Sequence, residues 1–500
     1  MKTSKFKIVS VFSAFCILHF AFFICANAQE TPPAPGAAKP VTVPAVQEKK
    51  LANGLTVAVV ERKNVPLVTI QMLVRSGASS ENANKAGLVN LTASMLTKGT
   101  TTRTATQIAE AVEFLGGTIN NGAGWNSSFV SFTVTSNKVD QAMAILADVV
   151  LNPKFDQKEL DLLKSQTLDG LTYNLKQPSF LANYVASKYS FGEHPAGGTP
   201  TSLNGITVAD VASFHKDKFY PSNSILIFTG DISIDRAHDT ATKFFSGWEP
   251  GRKVIMGYGD SATAVATTSS EHPSASSATI SAVTRFLVVD LPKSGQASVT
   301  YAKPVISGGR NSGSYYPAIV LNSVLGGGYS SRLNYEIRIK RGLSYGAGSS
   351  FAWRGWKTNF STRTQTKNES ASQVVELVLA ELKKLTDTYV GSDELIPRKS
   401  VLTGNFGSNL ETTSGLAGAI GDLYAFGIPT SELNKYVSNV NGITAAQIKG
   451  FGSENLLGGD IIIVGDYSIF KDDLAKRFPK MQIDVIKADD LDLSKENLRK

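Results

Sequence analysis

Two stretches of the chain repeat one pattern in the same order. Residues 206–232 (ITVADVASFHKDKFYPSNSILIFTGDI) and 443–467 (ITAAQIKGFGSENLLGGDIIIVGDY) both contain Ile-Thr, a Phe at the same offset, an apolar run and Gly-Asp. Thr207 and Thr444 stand where a helix N-cap is expected, and the apolar run after the loop is typical of a buried strand. Chance does not readily reproduce cap, Phe, strand and turn in this order. We therefore expect two copies of one α/β domain.

The repeat and two low-complexity stretches divide the 500 residues into segments. Residues 29–45 are rich in Pro and Ala, and residues 260–283 are dominated by Ser, Thr and Ala, which favours exposed connectors. The predicted segments are a signal peptide (1–28), an extended leader (29–45), an N-terminal domain (46–258), a linker (259–284), a C-terminal domain (285–480) and a tail (481–500).

The first segment has the three parts of a secretory signal peptide. Three lysines precede the apolar run 8–26, and Ala26-Asn27-Ala28 forms an A-x-A site with cleavage predicted before Gln29. An uncleaved membrane anchor is the alternative. A lipoprotein modified at Cys25 is disfavoured because Ile24 precedes the cysteine where a small residue is expected.

The expected mature chain has neither cysteine nor a strong charge. Cys16 and Cys25 both lie in the signal peptide, so cleavage leaves no disulfide, thiolate metal site or cysteine nucleophile. Loss of three lysines lowers the formal net charge from +8 to +5, too mild and dispersed to indicate nucleic-acid binding. No later stretch is long and apolar enough to span a bilayer. We expect a soluble secreted protein, most readily placed in the periplasm of a Gram-negative bacterium.

Strand and helix patterns arrive in clusters along both halves. Residues 55–62 and 67–77 are predicted as adjacent strands joined by a turn, and 128–136 alternates as a strand. Predicted helices cover 86–97, 104–115, 138–150 and 156–175 in the first half and 314–325, 331–340 and 371–388 in the second. Clusters without strict alternation indicate an α+β fold with helices on one face of each sheet.

Five segments follow, in order, the pattern of a known family. NGLTVAVVE, VRSGASSE, AGLVNLTASMLTKGT, FLGGTIN and GEHPAGGT resemble the pitrilysin and mitochondrial-processing-peptidase family of zinc peptidases, in its two-domain bacterial type. The likeness runs over most of residues 45–480. It implies two homologous α+β domains, each a mostly antiparallel sheet with helices on one face, that form a clam-like chamber.

The metal site of that family is absent from the matching segment. The family motif is H-x-x-E-H on a helix, where two histidines four residues apart grip zinc and the glutamate activates water. The matching residues are Asn90, Ala93 and Ser94, and the third ligand falls at Asp169 or Gly170, of which Gly170 is the better match. Asn90, Ala93, Ser94 and Gly170 cannot do the family's task, so the resemblance implies that this chain binds no metal.

The second half retains a different feature of the family. LGGGYSSRLNYEIRIKRGLSYGAGSSF (325–351) resembles the segment in which an arginine and a tyrosine project towards the catalytic zinc; the matching residues are Arg338 and Tyr345. Their implied role is to hold the scissile carbonyl and stabilise the oxyanion, which fits two hydrogen-bond donors. The alternative is structural: Arg338 would belong to an exposed charged helix, and Tyr345 would pack in a sheet.

A glycine run precedes this pair. Gly326, Gly327 and Gly328 resemble, in shorter form, a flexible loop that handles substrate in a noncatalytic family member. The structural alternative is that they end a helix and let the chain turn.

The resemblance favours a noncatalytic subunit of a heterodimeric zinc metallopeptidase. In that reading the zinc and the H-x-x-E-H motif are on a homologous partner chain, and this chain binds peptide and supplies Arg338 and Tyr345. It is not expected to hydrolyse peptides by itself. A scaffold, or a stand-alone peptide-binding protein of the same fold, is the alternative.

Overall fold

The computed structural model describes residues 42–250, 283–306 and 308–500. The predicted signal peptide, residues 29–41 of the leader and residues 259–282 of the linker lie outside the described residues. None of the helices in the described ranges combines the length and the apolar character needed to cross a bilayer.

The first half contributes one sheet and the helices around it. Its strands are β1 (Gln47–Lys50), β2 (Thr56–Glu61), β3 (Leu67–Val74), β4 (Thr118–Ala123), β5 (Ser128–Thr135) and β6 (Ser224–Gly230). Its helices are α1 (Leu88–Met95), α2 (Ala105–Phe114), α3 (Val139–Leu151), α4 (Gln157–Asn174), α5 (Pro178–Tyr189), α6 (Pro200–Asn204), α7 (Val208–Lys218) and α8 (Ile234–Phe245).

The second half repeats this composition. Its strands are β7 (Val283–Asp290), β8 (Ala297–Val305), β9 (Ser344–Trp353), β10 (Thr358–Thr366), β11 (Gly459–Gly465) and β12 (Ile483–Lys487). Its helices are α9 (Tyr315–Leu325), α10 (Arg332–Asn334), which continues as a π-helical turn over Tyr335–Ile339, α11 (Ala371–Asp387), α12 (Ser392–Glu411), α13 (Thr413–Ala425), α14 (Glu432–Gly442), α15 (Ala445–Asn455) and α16 (Tyr467–Arg477).

The two six-stranded sheets have equivalent strand orders. The first runs β1-β2-β6-β3-β5-β4 and the second β12-β7-β11-β8-β10-β9, with mostly antiparallel pairs in the first and two parallel pairs, β12–β7 and β7–β11, in the second. The first repeated stretch forms α7 and β6, and the second forms α15 and β11. Strands β6 and β11 are each the third strand of their sheet. The predicted internal repeat is confirmed.

Two details differ from the expectation. The strands predicted as adjacent, β2 and β3, are separated by β6, which pairs with both. The reason is that every residue of β6 is buried, so this strand needs neighbours on both edges. The segment predicted as a tail supplies β12 to the second sheet, and Leu498 beyond it is 2% exposed.

Capping explains why the repeated helices begin where they do. The side chain of Thr207 accepts a hydrogen bond from the Asp210 amide, and Thr444 accepts one from the Gln447 amide. Both form capping boxes, because the side chains of Asp210 and Gln447 also accept from the cap amides. Each box satisfies amide donors that a helix start leaves without partners.

The central strands of each sheet are buried on both faces. Ile461 and Ile463 of β11 pack with helices of their own half, whereas Ile462 and Val464 belong to the apolar core of the first half. The alternation follows from the two-residue period of a strand. It accounts for the uninterrupted apolar runs of the repeat, since no side of the strand faces water.

Each half contributes a helix that covers the face of the other half's sheet that its own helices leave open. Helix α5 of the first half packs on β8 and β11, and α13 of the second half packs on β3 and β6. At the start of α13, Thr69 Oγ1 donates to Thr413 Oγ1 at 2.8 Å, and Thr229 Oγ1 donates to the Thr413 carbonyl at 2.8 Å. Helices of the same half lie on one face, as expected, and a helix of the other half lies on the opposite face.

We predict that Ile462→Ala destabilises both halves together. The side chain is fully buried between β11 and the first-half core, so its truncation removes apolar contacts and leaves a cavity costing about 2–5 kcal/mol. Urea unfolding, monitored by circular dichroism and by tryptophan fluorescence, measures the change in the free energy of unfolding. The midpoints reported by the two signals should fall by the same amount. The control Ile469→Ala, at a position that is 46% exposed, should cost about 0.5 kcal/mol or less. Separate transitions for the two halves would contradict the interlocked arrangement.

Candidate functional site

Helix α1 carries Asn90, Ala93 and Ser94, the residues that the sequence analysis aligned with the metal-binding motif. The carboxylate of Glu81 accepts hydrogen bonds from the amides of Gly87 (2.9 Å) and Val89 (2.8 Å), which caps the helix N-terminus. The Asn90 amide donates to the Ala196 carbonyl at 2.7 Å, Ala93 is 1% exposed, and Ser94 is partly buried. Asn90 is thus engaged in holding a neighbouring loop to the helix.

These residues do not fit a zinc ion. Zinc in proteins is held by imidazole, thiolate or carboxylate ligands, and Asn90, Ala93, Ser94 and Gly170 offer none. Gly170 lies exposed on α4, which contacts α1. Within the described ranges, no group of three or more His, Cys, Asp or Glu side chains is arranged to hold a metal ion.

The loop after α5 is fixed to the second half through Glu193. The Glu193 carboxylate accepts hydrogen bonds from Arg354 Nη2 at 2.7 Å and from Asn359 Nδ2 at 2.9 Å, and Lys357 Nζ lies 3.0 Å away. Burial raises the pKa of Glu193, but the hydrogen bonds and charges of Arg354 and Lys357 outweigh it and hold the pKa below its ordinary value. The result is a buried ion cluster that joins the loop to the β9–β10 turn.

His194, next in the loop, completes a second set of contacts. Its Nε2 lies 3.1 Å from Glu81 Oε1, and its ring centroid lies 5.2 Å from the ring of Trp125. The guanidinium of Arg354 lies over the same Trp125 ring, 4.5 Å from its centroid. The degenerate metal helix and the β9–β10 turn are therefore linked through packed side chains. His194 contributes to this packing through both contacts.

Arg338 and Tyr345 are brought together on the second half. The guanidinium carbon of Arg338 lies 5.2 Å from the ring centroid of Tyr345 and 5.1 Å from that of Tyr329. Tyr345 is 91% exposed and Tyr329 is 67% exposed. No carboxylate of the described residues lies within ion-pair distance of Arg338. Its N–H donors therefore remain available to a ligand.

Local structure fixes this pair. Arg338 lies in the π-helical turn after α10, and Gly342, with φ of +63°, lets the chain turn into β9, where Tyr345 is the second residue. The buried Asn334 side chain donates to the Tyr329 carbonyl and accepts from the Ala347 amide at 3.3 Å. This side chain ties the segment before the turn to the strand after it.

Helix α12 holds the same segment from outside. Arg332 donates to Glu394 through Nε (3.0 Å) and Nη2 (2.7 Å), a two-point pairing. Arg398 donates to the Ser330 side chain at 2.7 Å and also to its carbonyl. The chain on both sides of Arg338 is therefore anchored to packed elements.

The three glycines lie between α9 and this segment. Gly326 needs its hydrogen side chain, because a Cβ there would lie 2.2 Å from the Ser349 amide nitrogen, and its carbonyl accepts from that amide at 3.1 Å. A Cβ on Gly327 would lie 2.9 Å from Ser323 Cα, whereas Gly328 is exposed and meets nothing within 4 Å. The close approach accounts for Gly326, and a substrate role for the run stays a prediction.

We predict that Glu193→Gln lowers the free energy of unfolding and reduces its dependence on pH in the acidic range. The substitution leaves Arg354 and Lys357 buried without a counter-charge, a loss of about 3–5 kcal/mol. Because the folded-state pKa is lowered, the wild-type carboxylate stabilises the fold above about pH 4.3 and loses this contribution as pH falls through the folded-state value. Urea unfolding across acidic pH should show a shallower slope in the variant. An unchanged stability would contradict the cluster, and Asp484→Asn, in an exposed pair with Arg499, is the control with little expected change.

Comparison with known proteins identifies the family. Residues 56–187 match the profile described as insulinase (peptidase family M16), and residues 205–399 match the one described as peptidase M16 inactive domain. An uncharacterized zinc protease of Rickettsia felis is 27% identical over 398 residues, which cover 78% of this chain and 91% of that protein. The uncharacterized zinc protease YmxG of Bacillus subtilis is 23% identical over 412 residues, covering 80% and 93%.

Solved structures share the architecture. A peptidase M16 inactive domain from Pseudomonas fluorescens is 25% identical, with a TM-score of 0.73 over 84% of this chain and 98% of that chain. A protease from Helicobacter pylori, 18% identical, has a TM-score of 0.75 over 85% and 100%, which shows the fold alone. The predicted α+β fold of two homologous domains is confirmed. The chain belongs to peptidase family M16, the pitrilysin-like family.

Proposed function

We propose that this protein is the noncatalytic subunit of a two-chain zinc peptidase. The observation that carries the proposal is the combination of two features in one chain. The positions that match the metal site hold no ligand, whereas Arg338, partly buried, lies beside the exposed Tyr345 and has no acidic partner among the described residues. A chain that only supports a fold has no need of a free guanidinium held between two phenol rings.

The chemistry of the pair suits the stabilisation of negative charge. Hydrolysis of a peptide bond places negative charge on the carbonyl oxygen, and preorganised donors aimed at that oxygen lower the barrier. Arg338 offers charged N–H donors and Tyr345 an O–H donor. The anchors at Asn334, Arg332 and Arg398 hold them in place before substrate arrives, which avoids reorganisation during the reaction.

An open sheet edge supports peptide binding. Strand β4 is the last strand of the first sheet, next to α1, and it pairs only with β5 within the described residues. A peptide can add to such an edge as a further strand through main-chain hydrogen bonds. The edge of β9 is less open, since Asn334 and Gly326 already bond to Ala347 and Ser349.

The remaining parts of the proposal concern the partner. A homologue with an intact H-x-x-E-H motif brings the zinc that activates the attacking water. The signal-like N-terminus supports a meeting of the two chains outside the cytoplasm, and the compartment that we propose is the periplasm of a Gram-negative bacterium.

We predict that Arg338→Ala and Tyr345→Phe each lower kcat of the reconstituted two-chain enzyme by about 10²–10³. KM should change far less, because the lost contacts act mainly in the transition state. Cleavage of a quenched fluorescent peptide by the mixed chains measures both constants. The control Arg363→Ala, at an exposed site on β10, should leave both unchanged.

Two results would count against this role. Unchanged kcat in both variants would remove Arg338 and Tyr345 from the reaction. Loss of activity through failure to form the complex, seen by gel filtration of the mixture, would assign the pair to partner binding.

A further inference from the structure

A cavity in the second half is lined by a buried cation. It has a volume of about 320 Å³ and lies among α12, α13, α14 and the chain that leads into α9. This volume is at the small end of the range for ligand pockets, about 300–1,000 Å³. The cavity uses neither Arg338 nor Tyr345.

Arg310 is the cation. It is 8% exposed, and its guanidinium carbon lies 3.7 Å from the ring centroid of Tyr315, which is flat stacking distance. Only its Nε is near an acceptor, Asp422 Oδ2, at the long distance of 3.4 Å. The two terminal nitrogens donate to no described residue. A buried guanidinium with four such N–H groups is costly unless an acceptor enters the cavity.

The acid beside Arg310 meets only one of its nitrogens. Asp422 Oδ2 lies 3.4 Å from Nε, and the Asp422 side chain is 50% exposed, so solvent screens its charge. Glu432, also on the cavity wall, is already engaged, since it accepts from the Tyr316 hydroxyl and, at 3.2 Å, from Asn439. Among the described residues, none occupies the terminal nitrogens of Arg310, which are therefore open to a planar anion.

Much of the remaining wall is apolar. The rings of Phe406 and Tyr436 are stacked, with centroids 4.1 Å apart and an interplanar angle of 19°. Leu402 and Leu433 lie on the same wall. Asn405, which is exposed, lines the cavity one residue before Phe406 on α12. A ligand with a negatively charged group at Arg310 and an apolar part against this wall would fill the cavity.

We propose that this cavity binds a small organic carboxylate with an apolar body, of the size of an N-acylated amino acid. The carboxylate pairs with the terminal nitrogens of Arg310, in the two-point geometry that guanidinium and carboxylate favour. The apolar body lies against Phe406 and Leu433. The uncharged mouth amide of Asn405 is free to contact an acyl group.

The test is titration calorimetry of the full chain with N-acetyl-L-leucine and with its uncharged amide. We expect the acid to bind with a dissociation constant of about 10 mM or lower, and the amide to bind at least tenfold more weakly. Arg310→Gln should weaken binding of the acid at least tenfold, whereas Arg363→Gln should leave it unchanged. Thermal unfolding of each variant reports whether it is folded.

A second variant keeps Arg310 in place. Asn405→Trp puts a large side chain at an exposed position on the cavity mouth, so it should abolish binding without loss of the fold. Equal binding of acid and amide, no binding of the acid, or unchanged binding in both Arg310→Gln and Asn405→Trp would overturn the proposal. None of these results bears on the peptidase role, because the assay needs no partner.

Discussion

The exchange of helices between the halves is the constraint on which the structure depends. A sheet with an apolar second face needs a cover, and here each half supplies the cover for the other: α13 lies on β3 and β6, and α5 lies on β8 and β11. Separation of the halves would expose both apolar faces to water and break the hydrogen bond from the Thr229 hydroxyl to the Thr413 carbonyl. The halves therefore behave as one body, in contrast to domains joined by small interfaces.

The interlocked halves give the candidate site its fixed geometry. Glu193, from the first half, gathers Arg354, Lys357 and Asn359 around the β9–β10 turn. The same β9 strand carries Tyr345, and Asn334 joins it to the segment before Arg338. The position of the donor pair is thus set by contacts that begin at the degenerate metal helix.

Much of the fold could be predicted because its signals are local. The caps at Thr207 and Thr444, the Phe positions and the Gly-Asp turns fixed the repeat, and the periodicity placed most helices within a few residues. The insertion of β6 between β2 and β3 could not be predicted, since sequential order favours neighbours and only complete burial of β6 reveals its place. The short strand β12 was equally hidden in a charged segment.

The candidate site also contains residues that could be predicted from the sequence and residues that could not. The resemblance singled out Arg338 and Tyr345, and the structure places them side by side. The residues that hold them, such as Asn334 and Arg332, carry no motif, and their role depends on contacts with chain far away in sequence, such as Glu394. Glu193 and His194 stand in a recognised segment, but their partners Arg354 and Glu81 are 161 and 113 residues away.

The most direct measurement mixes this protein with separately purified H-x-x-E-H homologues from the same organism. Zinc content, complex formation and peptide cleavage would be followed for each chain alone and for each mixture. The account predicts zinc-dependent cleavage that requires both chains, with zinc only in the partner. No complex and no gain in cleavage with any homologue, or cleavage by this chain alone, would contradict it.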